Sequence, residues 1–348
     1  MDESIYKMNN FVRKAYIDIM KCIGIIFIVM GHIPITNRLT HDWIFSFHVA
    51  LFFFISGYLH KVVPTNISFI RKNFYSLILV TLPYFIIGRI FVAMQNFVFY
   101  QDKFNINDVF FQPFISYITG SSSMGVMWFV VALFWMRIAF NIAAQYFKKN
   151  GFVWILLLLF IVLSVGVYYS GFRFNYYQLS AVMLAMPIYC LGYLAKQKKL
   201  PEWYLNRLSR ATRLFVPFIF LFLTILFTKI FLPINLNALE VGTNIFSYYL
   251  QTVVGVAFIF TLSVLFPSHK IIVNISNGTM VILGFHMMLI QCIKLIYKKI
   301  YHITTPPPYM DVASGIVSCL LIIICLYPIL VWILNSKYKT IRLLAGKR

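Results

Sequence analysis

Ten apolar segments, each long enough to cross a bilayer, run the length of this chain. They fall at about residues 15–36, 43–62, 74–98, 127–147, 152–170, 177–195, 212–232, 246–266, 276–297 and 312–335. A helix needs about 20 residues to span the hydrocarbon layer. In lipid every backbone N–H and C=O must be bonded internally, so an isolated apolar segment of this length has only the helix open to it. Charged residues are 11% of the 348, against about 25% in a soluble domain. The expected fold is all-α: a polytopic integral membrane helix bundle of about ten transmembrane helices, with connections too short for an independent domain.

The formal charge of +21 invites a nucleic-acid reading, but the distribution of that charge opposes it. With the N-terminus in the cytoplasm, twenty Lys and Arg flank the inner ends, among them Lys61, Arg71, Lys72, Lys196 and Arg213. Five flank the outer ends: Arg38, Lys103, Arg173, Lys298 and Lys299. That asymmetry orients the bundle with both termini cytoplasmic, and the basic side meets anionic membrane lipid. No nucleic-acid partner is expected. A multi-pass protein of a bacterial inner (plasma) membrane fits the pattern. The basic, then apolar, N-terminus reads as a retained first span, since no small-residue cleavage site follows it. The five cysteines lie in apolar spans, without metal-ligand spacing or a disulfide framework.

The first span carries a polar stripe. Lys21 and His32 are eleven residues apart, which returns a helix to within roughly 20° of the same face and about 16 Å further along it. Asp18 falls near the same stripe. The uncharged run from Cys22 to Gly31 is too short to cross a bilayer, so one end of the stripe must enter the membrane, where ionisable groups usually mark a site or pathway. Asp18 is the one acidic residue of nine in or at the edge of a span, which argues against a paired-carboxylate mechanism. Histidine is the remaining acid–base group.

His32, His48 and His286 fall within spans; His41, His60, His269 and His302 sit in loops or at interfaces. An intramembrane histidine can equally serve as an interhelical hydrogen bond. Arg89 and Arg137 lie deep in apolar helices. An anionic ligand would satisfy them, and so would backbone carbonyls, lipid phosphate or water. Lys229 and Lys294 lie near outer ends and snorkel. Arg71 and Lys72 open the third span and, with Lys21, would make a basic mouth for a phosphate-bearing ligand; ordinary flanking charge explains the first two as well.

The segment from Asp18 through Lys21 to His32 resembles the first helix of membrane acyltransferase family 3, and more narrowly that of fucose 4-O-acetylase-like O-acetyltransferases. Phe45-Ser-Phe-His48 running to Gly57-Tyr58 is similar to the family's second-helix signature. Arg71-Lys72 leading to Pro83-Tyr84, Trp128 to Phe134, and Ser276 to His286 resemble later segments in the same order. The resemblance covers about residues 10–335 and implies one transmembrane acyltransferase domain over 1–348. It departs from the family at Lys21, where many members carry Arg and its bidentate fork.

What the resemblance implies is an O-acyltransferase. It would move an acyl group, usually acetyl, from cytosolic acetyl-CoA to a hydroxyl of a surface polysaccharide or its lipid-linked precursor, without a metal. Lys21, Arg71 and Lys72 would hold the CoA phosphates. His32, with Asp18, would be the catalytic set, though Asp18 is too far along the helix to touch His32. His32 would act as a general base or take the acyl group itself. His48, Trp128 and His286 would line the acceptor pocket, with Arg89 and Arg137 also on the substrate side. The competing class is a flippase of a lipid-linked saccharide that passes its phosphate along Arg89 and Arg137.

Overall fold

A computed structural model describes residues 2–35, 37–95, 97, 105–119, 122–146, 151–171, 176–300 and 310–346. Lys103, Arg173 and His302 lie outside the described residues.

Ten helices are long and apolar enough to cross a membrane, in the order the sequence implies. The first is α1 (Asp2–His32), apolar from Ala15 onward. It packs against α3 (His48–Leu59), α12 (Ile245–Ser263), α13 (Lys270–Asn277), α14 (Thr279–Ile300) and α15 (Val312–Asn335), and so stands in the middle of the bundle. Around it lie α5 (Thr81–Gln95), α7 (Trp128–Tyr146), α8 (Phe152–Ser170), α9 (Leu179–Gln197) and α11 (Arg210–Ile230). Short helices fill the connections: α4 (Ile67–Asn73), α6 (Gln112–Thr119), α10 (Leu200–Arg207) and α16 (Lys339–Leu343).

The outside of the bundle is as apolar as its core. Leu158 and Val162 on α8, Phe215, Phe218 and Phe222 on α11, and Leu320 and Ile324 on α15 are all exposed. A helix apolar all round belongs in a core or in lipid, and these helices face outward. The chain is a multi-pass integral membrane protein.

Two spans depart from the simple reading. The second is not one helix: α2 (Arg38–Phe45) ends at Ser46, and α3 starts anew at His48. Phe47, with φ −146° and ψ −16°, breaks the ladder. The Ser46 carbonyl accepts from the Thr252 hydroxyl of α12 at 3.1 Å, so the break leaves that group bonded, as a lipid-embedded chain requires. The third span starts at Ile67 and passes through a π-helical stretch, Phe74–Leu79, before α5.

Small residues set the closest approach. Gly57 of α3 lies against the Tyr189 carbonyl of α9, and Gly192 of α9 against the Phe54 carbonyl of α3; a Cβ at either would overlap the partner backbone. With lipid tails as apolar as Leu, such close backbone contact is what holds two membrane helices together.

The bundle has two unlike ends. One carries Lys61, Arg71 and Lys196, and there the Lys196 ammonium caps the His60 carbonyl at 2.7 Å. At the other, Ile35 pairs with Met310, and Trp43 donates to Thr224 at 2.9 Å. The antiparallel hairpin of β1 (Ile234–Asn235) and β2 (Glu240–Val241) folds over this second end.

Candidate functional site

A cavity of about 470 Å³ lies at the hairpin end, within the usual range for small-molecule sites. Its wall is mostly aromatic and aliphatic, with Phe45, Tyr84, Phe129 and Trp128, and carries a few polar groups, among them His32, His48, Arg89, Asn237 and Tyr248. These come from α1, α2, α3, α5, α7, the hairpin and α12. Several are terminal residues of their helices: His32 ends α1, His48 begins α3 and Trp128 begins α7. Each side chain is thereby held by a helix yet placed where chains turn.

The three membrane histidines share one local geometry. Nδ1 of His32 is 2.7 Å from the Ile28 carbonyl, and Nδ1 of His48 is 2.8 Å from that of Ile44. Nδ1 of His286 is 3.1 Å from the Ile282 carbonyl and 2.9 Å from that of Leu283. A carbonyl oxygen can only accept, so each Nδ1 carries the hydrogen, and in the neutral ring Nε2 keeps its lone pair. Three rings are thus fixed in the tautomer that leaves Nε2 basic. His32 and His48 line the cavity. His286 is fully buried beside them, its ring perpendicular to that of His32 with centroids 5.3 Å apart. Its Nε2 meets no hydrogen-bond partner among the described residues.

Arg89 also reaches the cavity and donates to the Asp108 carbonyl at 3.4 Å. Arg137 does not line it. It sits nine residues further along α7 from Trp128, where it bonds Tyr189. Tyr189 also bonds His60 at 2.7 Å, and His60 in turn meets the Asn141 amide oxygen at 3.3 Å.

The groups expected to bind phosphate lie towards the basic end and outside the cavity lining. Lys21 is half-buried on α1; Arg71 and Lys72 are exposed, and the Arg71 guanidinium lies 5.5 Å over the Tyr75 ring. Asp18 accepts from the Ser276 hydroxyl at 2.7 Å, which ties α1 to α13. Between the two regions stands Tyr84, which lines the cavity and donates to the Leu344 carbonyl at 2.7 Å, joining the cavity floor to the segment after α16.

Sequence reasoning did not single out Tyr248, Thr252, Asn235, Asn237 or Gln291, all of which line the cavity. The available signal was polarity out of place: Gln291 and Tyr248 interrupt apolar spans, and the connection from 233 to 245 carries three asparagines. Among the described residues, no three His, Cys, Asp or Glu side chains gather to hold a metal.

No curated protein and no solved structure matches the chain. A family model described as an acyltransferase domain, that of acyltransferase family 3, matches residues 14–328. That interval holds every cavity residue named above and His286 beside them, and the chain belongs to acyltransferase family 3.

Proposed function

We propose that this acyltransferase moves an acyl group, in the first instance acetyl, from cytosolic acyl-CoA to a hydroxyl of a cell-surface polysaccharide or its lipid-linked precursor, in a bacterial inner membrane with both termini cytoplasmic. One observation carries the reading. His32 ends a helix that also bears Lys21, and it enters a cavity with Nδ1 bonded and Nε2 left basic.

In this reading the CoA phosphates dock at the basic end on Lys21, with Arg71 and Lys72 adding charge. The pantetheine arm follows α1 over the roughly 16 Å between Lys21 and His32. The acceptor hydroxyl gives its proton to Nε2 of His32 as its oxygen attacks the thioester carbonyl. The C–S bond breaks, the acyl group stays on the sugar oxygen, and the departing CoA thiolate takes the proton back from the imidazolium. His48 holds the neighbouring wall, the buried His286 ring backs His32, Trp128 offers an aromatic face to the sugar, and Arg89 meets any phosphate on a lipid-linked acceptor. Asp18 acts at a distance, by holding the inner end of α1 against Ser276.

The transport reading needs Arg89 and Arg137 on one phosphate path. Arg89 lines the cavity, whereas Arg137 is engaged with Tyr189 away from it. The deciding experiment compares the surface glycan by mass spectrometry in a deletion strain, the strain restored with wild type, and the strain restored with His32→Ala. Glycan made but lacking one acyl group, recovered with wild type alone, supports the proposal. Loss of the whole glycan from the surface overturns it in favour of transport.

A further inference from the structure

The hairpin end of the cavity holds two polar atoms that the fold leaves unused. Tyr248 is 1% exposed and lines the cavity, and its hydroxyl meets no hydrogen-bond partner among the described residues. The same holds for Oδ1 of Asn237, a buried atom on the cavity wall. Leaving such a group unsatisfied forfeits the hydration it had in water, so native proteins rarely leave one without a use.

Their setting is built rather than incidental. Asn244 and Ser247 form a reciprocal cap at the start of α12, with bonds of 2.8 and 3.0 Å, and this fixes the turn that carries Tyr248. The hairpin is pinned by the Ile234–Val241 pair, by the Leu232 N–H on the Thr243 hydroxyl at 3.0 Å, and by Tyr168 of α8 on the Thr243 carbonyl at 3.1 Å. Asn235 spends its amide oxygen on the Ala238 N–H. Asn237, two residues on, does not.

We propose that Tyr248 and Asn237 form the subsite that reads the sugar ring of the acceptor, each bonding one hydroxyl of a neutral pyranoside. This rests on the acyl-transfer reading for the occupant's role. The chemistry selects the class. An amide oxygen only accepts, so it repels a phosphate or carboxylate oxygen and demands an O–H or N–H from the ligand. The Tyr248 phenol on the same cavity lining both donates and accepts, as a second hydroxyl requires. The rest of the wall, Trp128 above all, suits the apolar face of a ring. Tyr248 and Asn237 therefore set which sugar is acylated, while His32 does the chemistry.

The test uses the full-length protein in detergent, Tyr248→Phe and Asn237→Ala variants, and a panel of methyl pyranosides with their monodeoxy analogues. Direct binding, thermal stability and acetyl transfer from acetyl-CoA are measured in parallel. Each variant is expected to bind the preferred glycoside about five- to tenfold more weakly, the worth of one neutral hydrogen bond. It should bind the analogue lacking the contacted hydroxyl as well as wild type does. Tyr248→Phe should also raise the melting temperature of the unliganded protein, because it removes a buried hydroxyl without a partner. Unchanged binding by both variants, a lowered melting temperature in Tyr248→Phe, or no glycoside bound by wild type would each overturn the proposal. Glycoside binding with the expected variant pattern, but no acetyl transfer by wild type, would leave this subsite standing and sink the acyl-transfer reading instead.

Discussion

The two ends of this bundle solve opposite problems. At the hairpin end, eight of the described helices and the hairpin converge on one cavity, and the histidines that line it are oriented by bonds to their own backbone. At the basic end, charge is abundant but spread: Arg71 and Lys72 stand exposed, and Arg137 is turned to Tyr189. Chemistry needs positions held within fractions of an ångström. Attraction of a polyanion needs only charge of the right sign nearby, since a phosphate responds to a field as well as to a contact. Substitutions at the two ends should therefore differ in kind as well as in size.

The largest effect is expected at His32. His32→Ala should lower the turnover number by about 10²–10⁴-fold, the usual worth of a positioned general base, while the protein remains inserted and monodisperse. Retained turnover would erase the contrast between the ends. Lys21→Ala comes next, with the KM for acetyl-CoA up by about tenfold, as for loss of one charge-assisted hydrogen bond, and the acceptor KM unchanged. Lys21→Arg should be tolerated or improved, given the fork that Arg brings to phosphate. A rise in acceptor KM instead would place Lys21 with the cavity.

Smaller still is the combined Arg71→Ala, Lys72→Ala variant. A donor KM change of about two- to threefold is expected, vanishing in high salt because exposed charges are screened there. A salt-independent change would mean a defined phosphate contact and would sharpen the basic end into a site.

The smallest effect is at Asp311, which caps α15 beside the strand contact that fixes the end of α1. The Ser314 hydroxyl and N–H hold its carboxylate below the usual range. Its contribution is then complete above the ordinary carboxylate value of about 3.9 and is lost as pH falls through its lower folded value. Asp311→Ala should lower the melting temperature slightly at pH 7, and the gap from wild type should narrow as pH drops below 4. A gap independent of pH would remove the charge from the explanation.

Much of the architecture could be read directly from the residues. Ten apolar segments became ten candidate spans in order, because length and apolarity suffice to commit a segment to a membrane helix. The break at Ser46–Phe47 could not be read that way. It depends on Thr252, some 200 residues away, to bond the freed carbonyl. His48 consequently begins a helix at the cavity edge, where the sequence placed it within a continuous span.

The site divides along the same line. The shared face of Lys21 and His32, the basic asymmetry and the family could be recognised in sequence. That His48, Trp128 and Arg89 meet His32 at one cavity, that the His286 ring stands edge-on to His32, and that Asn237 and Tyr248 line the same cavity are matters of which helices become neighbours. So is the separation of Arg137 from Arg89, and of Asp18, bonded to Ser276, from the cavity. Helical periodicity determines the face on which a side chain lies. It does not determine which helix that face meets, because all apolar faces are alike to lipid. That choice was made by backbone contact at Gly57 and Gly192 and by hydrogen bonds between distant spans, which exist only once the bundle has assembled.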